Sequence, residues 1–261
     1  MDVGLGMLAT AYEVRRLRPD ADLVLATDPD GMPWGVRTPQ DLTARALLVA
    51  GSVAAERPDL LIVACNTATL YALPAIQQCV GPGMPVLGTF PAVRSAAEAG
   101  GAFAVWGTPT GVDSSQLHEL IRRHAADLPV ASVACHGLSD AIERADPEAV
   151  TAAITAAADR TPGDVRSVLL ACTHYELVVP QIRAVLRRGA QAAPTLRGTA
   201  ESLAAQALTR LGLRPRPGAP ATGRLTVLRS GREEALPAAA EAYPQGRLLQ
   251  ASIAATAVDI G

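Results

Sequence analysis

Two cysteines lie in closely similar sequence contexts, and this pairing is the clearest chemical signal in the chain. Residues 60–68 read Leu-Leu-Ile-Val-Ala-Cys-Asn-Thr-Ala, and residues 167–175 read Ser-Val-Leu-Leu-Ala-Cys-Thr-His-Tyr. Each is an apolar run of strand length, followed by Ala-Cys, small polar residues and a helical pattern. A thiolate just before a helix is stabilised by the backbone N–H groups of the first turn. The pattern therefore predicts two strand–turn–helix units that present Cys65 and Cys172.

Taken singly, either cysteine could be a buried structural thiol, since free cysteine is among the most buried residue types. The matched pair instead indicates catalysis, because ligands of open α/β sheets bind at the carboxyl ends of strands. Two thiols in equivalent places on related halves suggest one substrate held between them. Cys79 and Cys135 have no comparable setting, and we predict that both are buried structural residues.

Composition excludes several classes of function. The 261 residues are 49% hydrophobic with a net charge of −2, and no basic block favours nucleic acid or an anionic membrane as a partner. No apolar run reaches membrane-spanning length and no signal-peptide pattern opens the chain, so we expect a cytoplasmic protein. The four cysteines form no CxxC pair, so no metal site is predicted. The sequence contains no lysine for a pyridoxal-phosphate Schiff base and no P-loop, so no cofactor is predicted either.

The elements that must position these thiols follow from the order of periodic segments. Strands alternate with helices, which predicts an α/β fold with parallel sheets. The repeated cysteine unit predicts two pseudo-symmetric parallel-sheet domains with the active site between them, residues 1–90 with 198–261 and residues 91–197. No strand precedes the glycine-rich turn at residues 1–7, so either the first strand is absent or the chain starts late, and we expect a misassigned start. We predict a helical stretch over residues 232–243, which Pro237 either kinks or makes start late, and we assign no element to residues 246–261.

The two cysteine motifs together resemble those of the cofactor-independent glutamate racemases, within the aspartate/glutamate racemase superfamily. Weaker similarities follow in the same order along nearly the whole chain. They are Asp2-Val3-Gly4-Leu5-Gly6, Asp28 with Pro33-Trp34-Gly35, Gly107-Thr108-Pro109 with Ser114, Glu143, and Arg229-Ser230-Gly231.

The resemblance implies racemisation of an amino acid by two thiols on opposite faces of the α-carbon. One thiolate removes the α-proton and the opposite thiol returns a proton, with Cys65 acting on the D-enantiomer and Cys172 on the L-enantiomer. It also implies that Asp2 and His174 tune the two thiols, and that Asp28 and Glu143 are secondary acidic groups. A homodimer that supplies D-glutamate for peptidoglycan is the expected assembly and role.

The same resemblance predicts a set of residues that bind the substrate's carboxylates and amine or line its pocket. They are Val3, Asp28, Pro33, Trp34, Gly35, Asn66, Thr67, Thr108, Thr110, Glu143 and Thr173.

Four positions depart from the family pattern. Val3 replaces a serine, Trp34 a tyrosine, Gly111 a threonine (with Thr110 beside it as a substitute) and Glu176 a proline. Removing one polar partner from a site that holds a charged ligand costs about 1–3 kcal/mol. Two alternatives to glutamate racemisation therefore stay open: a racemase of another amino acid such as aspartate, or a non-catalytic ligand-binding or regulatory paralogue.

Overall fold

The computed structural model describes residues 1–187 and 193–258. The chain divides into two compact units, Met1–Thr89 together with the residues from Ala200 onward, and Phe90–Thr199. Among the described helices, none is both long enough and apolar enough to cross a bilayer.

The described residues form nine short strands: β1 (Leu23–Thr27), β2 (Leu61–Val63), β3 (Val86–Gly88), β4 (Phe103–Gly107), β5 (Val130–Ala134), β6 (Ser167–Leu170), β7 (Thr195–Arg197), β8 (Leu225–Arg229) and β9 (Arg232–Glu233). The α-helices are α1 (Met7–Leu17), α2 (Pro39–Ala55), α3 (Asn66–Val80), α4 (Val93–Ala99), α5 (Pro109–Val112), α6 (Ser115–Ala125), α7 (Leu138–Glu143), α8 (Pro147–Asp159), α9 (Val179–Leu186), α10 (Ala200–Arg210) and α11 (Pro244–Val258). Single 3₁₀ turns or short 3₁₀ helices cover Pro29–Gly31, Thr173–Val178 and Ala238–Ala242.

In the first unit, β1 pairs in parallel with β8, and β2 pairs in parallel with β3. The first residues of the chain join these two pairs. The Met1 nitrogen donates to Ile62 O at 2.7 Å, and Ala64 N donates to Met1 O at 2.8 Å. On the other side, Asp2 N donates to Ala26 O at 3.0 Å. Residues 1–3 therefore lie between β1 and β2.

In the second unit, the four strands run parallel in the order β5-β4-β6-β7. Phe103 and Val105 of β4 and Leu169 of β6 are fully buried and pack in the core cluster of this unit. Burial of apolar side chains in these strands is the main stabilising contribution, at about 1.5–3 kcal/mol for each large side chain.

The mixed α/β fold with parallel sheets is confirmed. The start of α2 follows from its residue types, because Thr38 caps the helix by accepting the Asp41 N–H and Pro39 occupies its first turn. The helix predicted over residues 232–243 is wrong in its first half, and only the 3₁₀ helix Ala238–Ala242, directly after Pro237, is helical. Ser230 and Gly231 have φ angles of 48° and 78°, which turn the chain back so that β9 pairs antiparallel with β8. The stretch without an assigned element belongs to α11 as far as residue 258.

Candidate active site

Cys65 and Cys172 occupy equivalent positions in their own units. Cys65 follows β2 at the N-cap of α3, with φ −143° and ψ 116°. Cys172 follows β6 at the N-cap of the Thr173–Val178 3₁₀ helix, with φ −141° and ψ 127°. The predicted strand–turn–helix units therefore exist, although the second opens with 3₁₀ rather than α-helical turns. Cys65 is buried and Cys172 is partly exposed.

Two threonines that the sequence did not single out hold the strand before Cys65. The Val63 carbonyl accepts hydrogen bonds from the Thr69 hydroxyl at 3.3 Å and the Thr89 hydroxyl at 2.9 Å. The Thr89 N–H in turn donates to Thr69 Oγ1 at 2.9 Å. All of these groups are buried, so the end of β2 is tied both to α3 and to the segment that follows β3. Threonine in these positions has no sequence signature, which is why it was missed.

Asp2 and Val3 belong to the segment of residues 1–3 that lies between β1 and β2. Asp2 is fully buried, and its Oδ1 accepts the Val3 N–H at 2.6 Å. The hydrogen bond from Ala64 N to Met1 O brings Asp2 alongside the residues that lead into Cys65. Val3 packs against the apolar core of the unit and offers no hydroxyl to a ligand.

Asn66 carries an unpaired polar group directly after Cys65. Its side chain is 7% exposed, and neither carboxamide atom has a hydrogen-bond partner among the described residues. Buried polar atoms are nearly always paired, so each exception needs an explanation. A polar ligand held beside Cys65 would satisfy both atoms. Thr67, in the same first turn of α3, is half-buried.

The carboxylate of Asp28 interacts with other side chains of the protein. Its carboxylate forms an ion pair with Arg45 and accepts the Trp34 indole N–H at 2.8 Å. The Ser230 hydroxyl also donates to it, at 3.2 Å. Burial alone would raise the pKa of Asp28, but the hydrogen bonds and charge of these partners outweigh it and hold the pKa below its ordinary value. The indole N–H of Trp34 thus serves the protein. Pro33 is exposed and Gly35 is half-buried.

In the second unit, three predicted residues form a hydrogen-bonded line. The His174 Nδ1 lies 3.8 Å from Cys172 Sγ, and His174 Nε2 lies 2.9 Å from Glu143 Oε2. With the Nε2 proton directed to the carboxylate, Nδ1 faces the sulfur. A neutral Nδ1 can accept a hydrogen bond from the thiol, and a protonated Nδ1 can donate one to a thiolate. Glu143, at the end of α7, fixes the ring and stabilises its charged form.

The threonines of this unit are placed differently from one another. Thr173 is buried beside Cys172. Thr108 follows β4, next to β6, since Ala171 N donates to Trp106 O at 2.8 Å. Its hydroxyl accepts the Gly111 N–H at 3.2 Å, and a Cβ on Gly111 would lie 2.9 Å from that oxygen. Glycine therefore suits this position. Thr110 is exposed.

Glu176, the departure from proline, has a structural role. Its Oε1 accepts the Thr199 N–H at 2.8 Å and the Thr199 hydroxyl at 2.9 Å. A Cβ on Gly198 would clash with the same carboxylate. The segment that carries Cys172 is thereby fastened to the residues after β7.

Of the other two cysteines, both predicted to be buried, one is buried and the other is exposed. Cys135 is buried, and burial raises the pKa of its thiol to about 12, which makes it inert at neutral pH. Cys79 is exposed near the end of α3, so its predicted burial is wrong. Within residues 1–187 and 193–258, no cluster of three or more His, Cys, Asp or Glu side chains could hold a metal ion.

Comparison with known proteins gives a consistent set of relatives. Residues 7–207 match the Asp/Glu/hydantoin racemase family. The glutamate racemase of Roseiflexus sp. (strain RS-1) is 36% identical over 196 residues, which cover 70% of this chain and 69% of that relative. The glutamate racemase of Sphingopyxis alaskensis is 32% identical over 213 residues, with 78% and 79% covered.

Known structures agree with this assignment of fold. The crystal structure of Escherichia coli glutamate racemase, in complex with L-glutamate and the activator UDP-MurNAc-ala, gives a TM-score of 0.76 at 23% identity. The match covers 96% of this chain and 92% of that one. The resemblance inferred from the two cysteine motifs is confirmed. This chain belongs to the Asp/Glu/hydantoin racemase family, and it is an isomerase of the amino-acid racemase class.

Proposed function

We propose that this racemase interconverts L- and D-glutamate by proton transfer between Cys65 and Cys172, without a cofactor. The observation that carries the proposal is the matching placement of the two thiols, each at an N-cap after a parallel strand with nearly the same φ and ψ. The substrate is proposed from the curated relatives, which are glutamate racemases.

Racemisation in this proposal consists of one deprotonation and one protonation of the α-carbon. One cysteine starts as thiolate and takes the α-hydrogen as a proton, while the electron pair of the C–H bond passes into the substrate carboxylate. The other cysteine starts as thiol and gives its proton to the opposite face of the α-carbon. The two roles are then exchanged, ready for the reverse direction.

The supporting groups differ between the two thiols. We assign Asp2 to Cys65, because its buried carboxylate lies beside the residues that lead into that cysteine. We assign His174 to Cys172, at 3.8 Å, with Glu143 behind it. Asn66 is the residue we assign most directly to substrate binding, because both atoms of its carboxamide are buried without a partner among the described residues. Thr67, Thr108 and Thr173 are assigned to the same task.

A second substrate is favoured by two observations. Val3 offers no hydroxyl, and the Trp34 indole N–H is taken by Asp28, so neither position supplies the polar contact of the family pattern. A racemase of aspartate, or of another amino acid with a shorter or less polar side chain than glutamate, would need fewer polar contacts to the substrate. Comparing kcat/KM for glutamate, aspartate and a panel of neutral amino acids decides between these substrates.

Purified protein incubated with L-glutamate, without added cofactor, tests the main proposal. We expect D-glutamate to accumulate until the two enantiomers are equal. Binding of glutamate in calorimetry without any exchange of its α-hydrogen would contradict the proposal and favour a non-catalytic paralogue.

The biological role and the homodimer that the resemblance implies are also proposals, as is the cytoplasmic location expected from the sequence. Expression in a bacterial strain that requires D-glutamate should restore growth without the supplement, and a Cys65→Ala variant should not. Growth that fails with the wild-type protein would contradict the role in peptidoglycan supply. Light scattering of the purified protein should give twice the mass of the chain.

A further inference from the structure

The first unit contains a buried ionic cluster that the sequence did not predict. Arg45, on α2, reaches Asp28 with both Nε and a terminal nitrogen, and its Nε lies 2.9 Å from Asp28 Oδ2. The same carboxylate oxygen accepts the Trp34 indole N–H. The Asp28 side chain is 1% exposed and that of Arg45 is 25% exposed. The carboxylate therefore joins a helix to the loop that carries Pro33, Trp34 and Gly35.

A third segment reaches the same carboxylate. The Ser230 hydroxyl donates to Asp28 Oδ1 and also accepts the Asp30 N–H, both at 3.2 Å. Gly31 makes room for this arrangement, because a Cβ there would clash with the Asp28 carboxylate and the Arg45 guanidinium. Four partner atoms thus converge on a buried carboxylate, two on each oxygen, and they fill its acceptor positions so that none is left for a substrate amine.

We propose that Arg45 is a positioning residue: by holding Asp28, it fixes Trp34 and the loop of residues 33–35 in place, and Asp28 itself neither binds nor protonates the substrate. This inference rests on the proposed function and on the family resemblance, which implies that this loop lines the substrate pocket. The resemblance implied that Asp28 is an acidic group of the reaction. We infer instead that it is the centre of a clamp, which consists of Asp28, Arg45, Trp34 and Ser230.

The clamp predicts a particular kinetic pattern. A loop that contacts the substrate equally in the ground state and the transition state contributes to KM and not to kcat. Arg45→Met should therefore raise KM for glutamate about 10-fold or more and change kcat by less than about 3-fold. Arg45→Lys should restore part of the affinity, because lysine keeps the charge but not the two-pronged geometry. Arg94→Met, which removes an exposed arginine of the second unit, is the matched control and should leave both constants unchanged.

A spectroscopic readout tests the clamp without relying on activity. Trp34 and Trp106 are the two tryptophans of the sequence, so Trp106→Phe leaves Trp34 as the reporter. In that background, Arg45→Met should shift the fluorescence emission to longer wavelength and increase quenching by acrylamide about 2-fold or more, since Trp34 loses its fixed partner. Arg94→Met should change neither property.

A double-mutant cycle gives the sharpest test. Arg45→Met leaves a buried carboxylate without its cation and could prevent folding, but Arg45→Met/Asp28→Asn removes both charges. If the two residues act as one clamp, the double variant should lose no more than about 3-fold in kcat/KM beyond the worse single variant. The proposal would be overturned if the losses in kcat/KM of the two single variants multiplied in the double variant. It would also be overturned if Asp28→Asn lost about 100-fold in kcat while the Trp34 emission stayed unchanged. If the wild-type protein does not racemise glutamate, the proposed function fails, while the Trp34 measurement still decides whether the clamp exists.

Discussion

At the scale of single residues, the two thiols are supported by unlike groups. A buried carboxylate, Asp2, lies near the segment of Cys65, whereas an imidazole backed by Glu143 lies against Cys172. Racemisation does not require identical supports. The two enantiomers have equal free energy, so kcat/KM must be the same in both directions whatever the pKa of each thiol. A change on either side must therefore slow both directions equally.

Glu143→Gln tests this statement. The change keeps the shape of the side chain but removes the charge that stabilises the protonated ring of His174. We expect kcat/KM to fall about 10- to 100-fold, equally from L- and from D-glutamate. Asp140→Asn, on the exposed face of the same helix, is the control and should have no effect. Unchanged kcat/KM in the Glu143 variant would contradict a role for the His174–Glu143 pair.

Cys135 gives a prediction about pH and stability. Burial raises the pKa of its thiol from the ordinary 9.0 to about 12. In the unfolded chain the thiol loses its proton near pH 9, while the folded chain keeps it until higher pH, so stability falls as pH rises through this window. Removing the thiol with Cys135→Ala should make the decline in unfolding free energy between pH 9 and 11 shallower by about 1–2 kcal/mol.

Urea unfolding at several pH values measures this difference. Cys79→Ala removes an exposed thiol and is the matched control, with a pH dependence like that of the wild type. A Cys135→Ala protein with the same slope as the wild type would show that the thiol titrates normally when buried.

At the scale of secondary-structure elements, the sequence predicted the cysteine units because their strand runs, turns and helices are local patterns. It could not predict the difference between the two prolines that follow. Pro74 lies inside α3, whereas Pro180 lies in the first turn of α9, where a missing N–H costs little. The 3₁₀ helix after Cys172 delays α9 and creates this difference. The residues 232–243 fit a helical pattern, but two residues with positive φ turned the chain into a hairpin first.

The threonine link at the end of β2 is an element-scale feature with a testable cost. Thr69→Val would remove the hydroxyl that accepts the buried Thr89 N–H. A buried N–H without a partner costs about 1–3 kcal/mol, so the unfolding free energy should fall by that amount. The turn that holds Cys65 should also be less well fixed, and kcat should fall.

Thr69→Ser keeps the hydroxyl and is the matched control for this change. Denaturant unfolding and turnover of the two variants should separate clearly. Equal stability of the valine and serine variants would show that the link between Val63, Thr69 and Thr89 contributes nothing.

At the scale of the whole molecule, the fold class followed from the alternation of strands and helices, and the family followed from two short motifs. The residues that complete the clamp did not follow from either. Arg45 lies 17 residues after Asp28 and Ser230 lies 202 residues after it, and only the folded chain brings them together. The connection made by residues 1–3 was missed for a related reason. Three residues are too few for a periodic pattern, although their backbone hydrogen bonds complete the sheet.

Independence from cofactors is a prediction for the whole protein. The sequence has no lysine to form a Schiff base, and two thiols can carry out the proton transfer alone. We expect the rate of racemisation to be the same after dialysis against a metal chelator and with no pyridoxal phosphate added. A rate that falls on chelation and returns with a divalent metal would contradict this prediction.

The two-thiol mechanism is tested most directly by the isotope content of both enantiomers at early times in deuterated water. The thiol that donates to the product exchanges its proton with solvent, and it is not the group that removed the substrate's hydrogen. Starting from L-glutamate, we therefore expect every D-glutamate molecule to carry deuterium at the α-carbon while the remaining L-glutamate keeps protium. Mass spectrometry of the separated enantiomers measures both. D-glutamate that retains the original protium would mean that one group moves the hydrogen from face to face, and it would contradict the assignment of Cys65 and Cys172 as opposing acid and base.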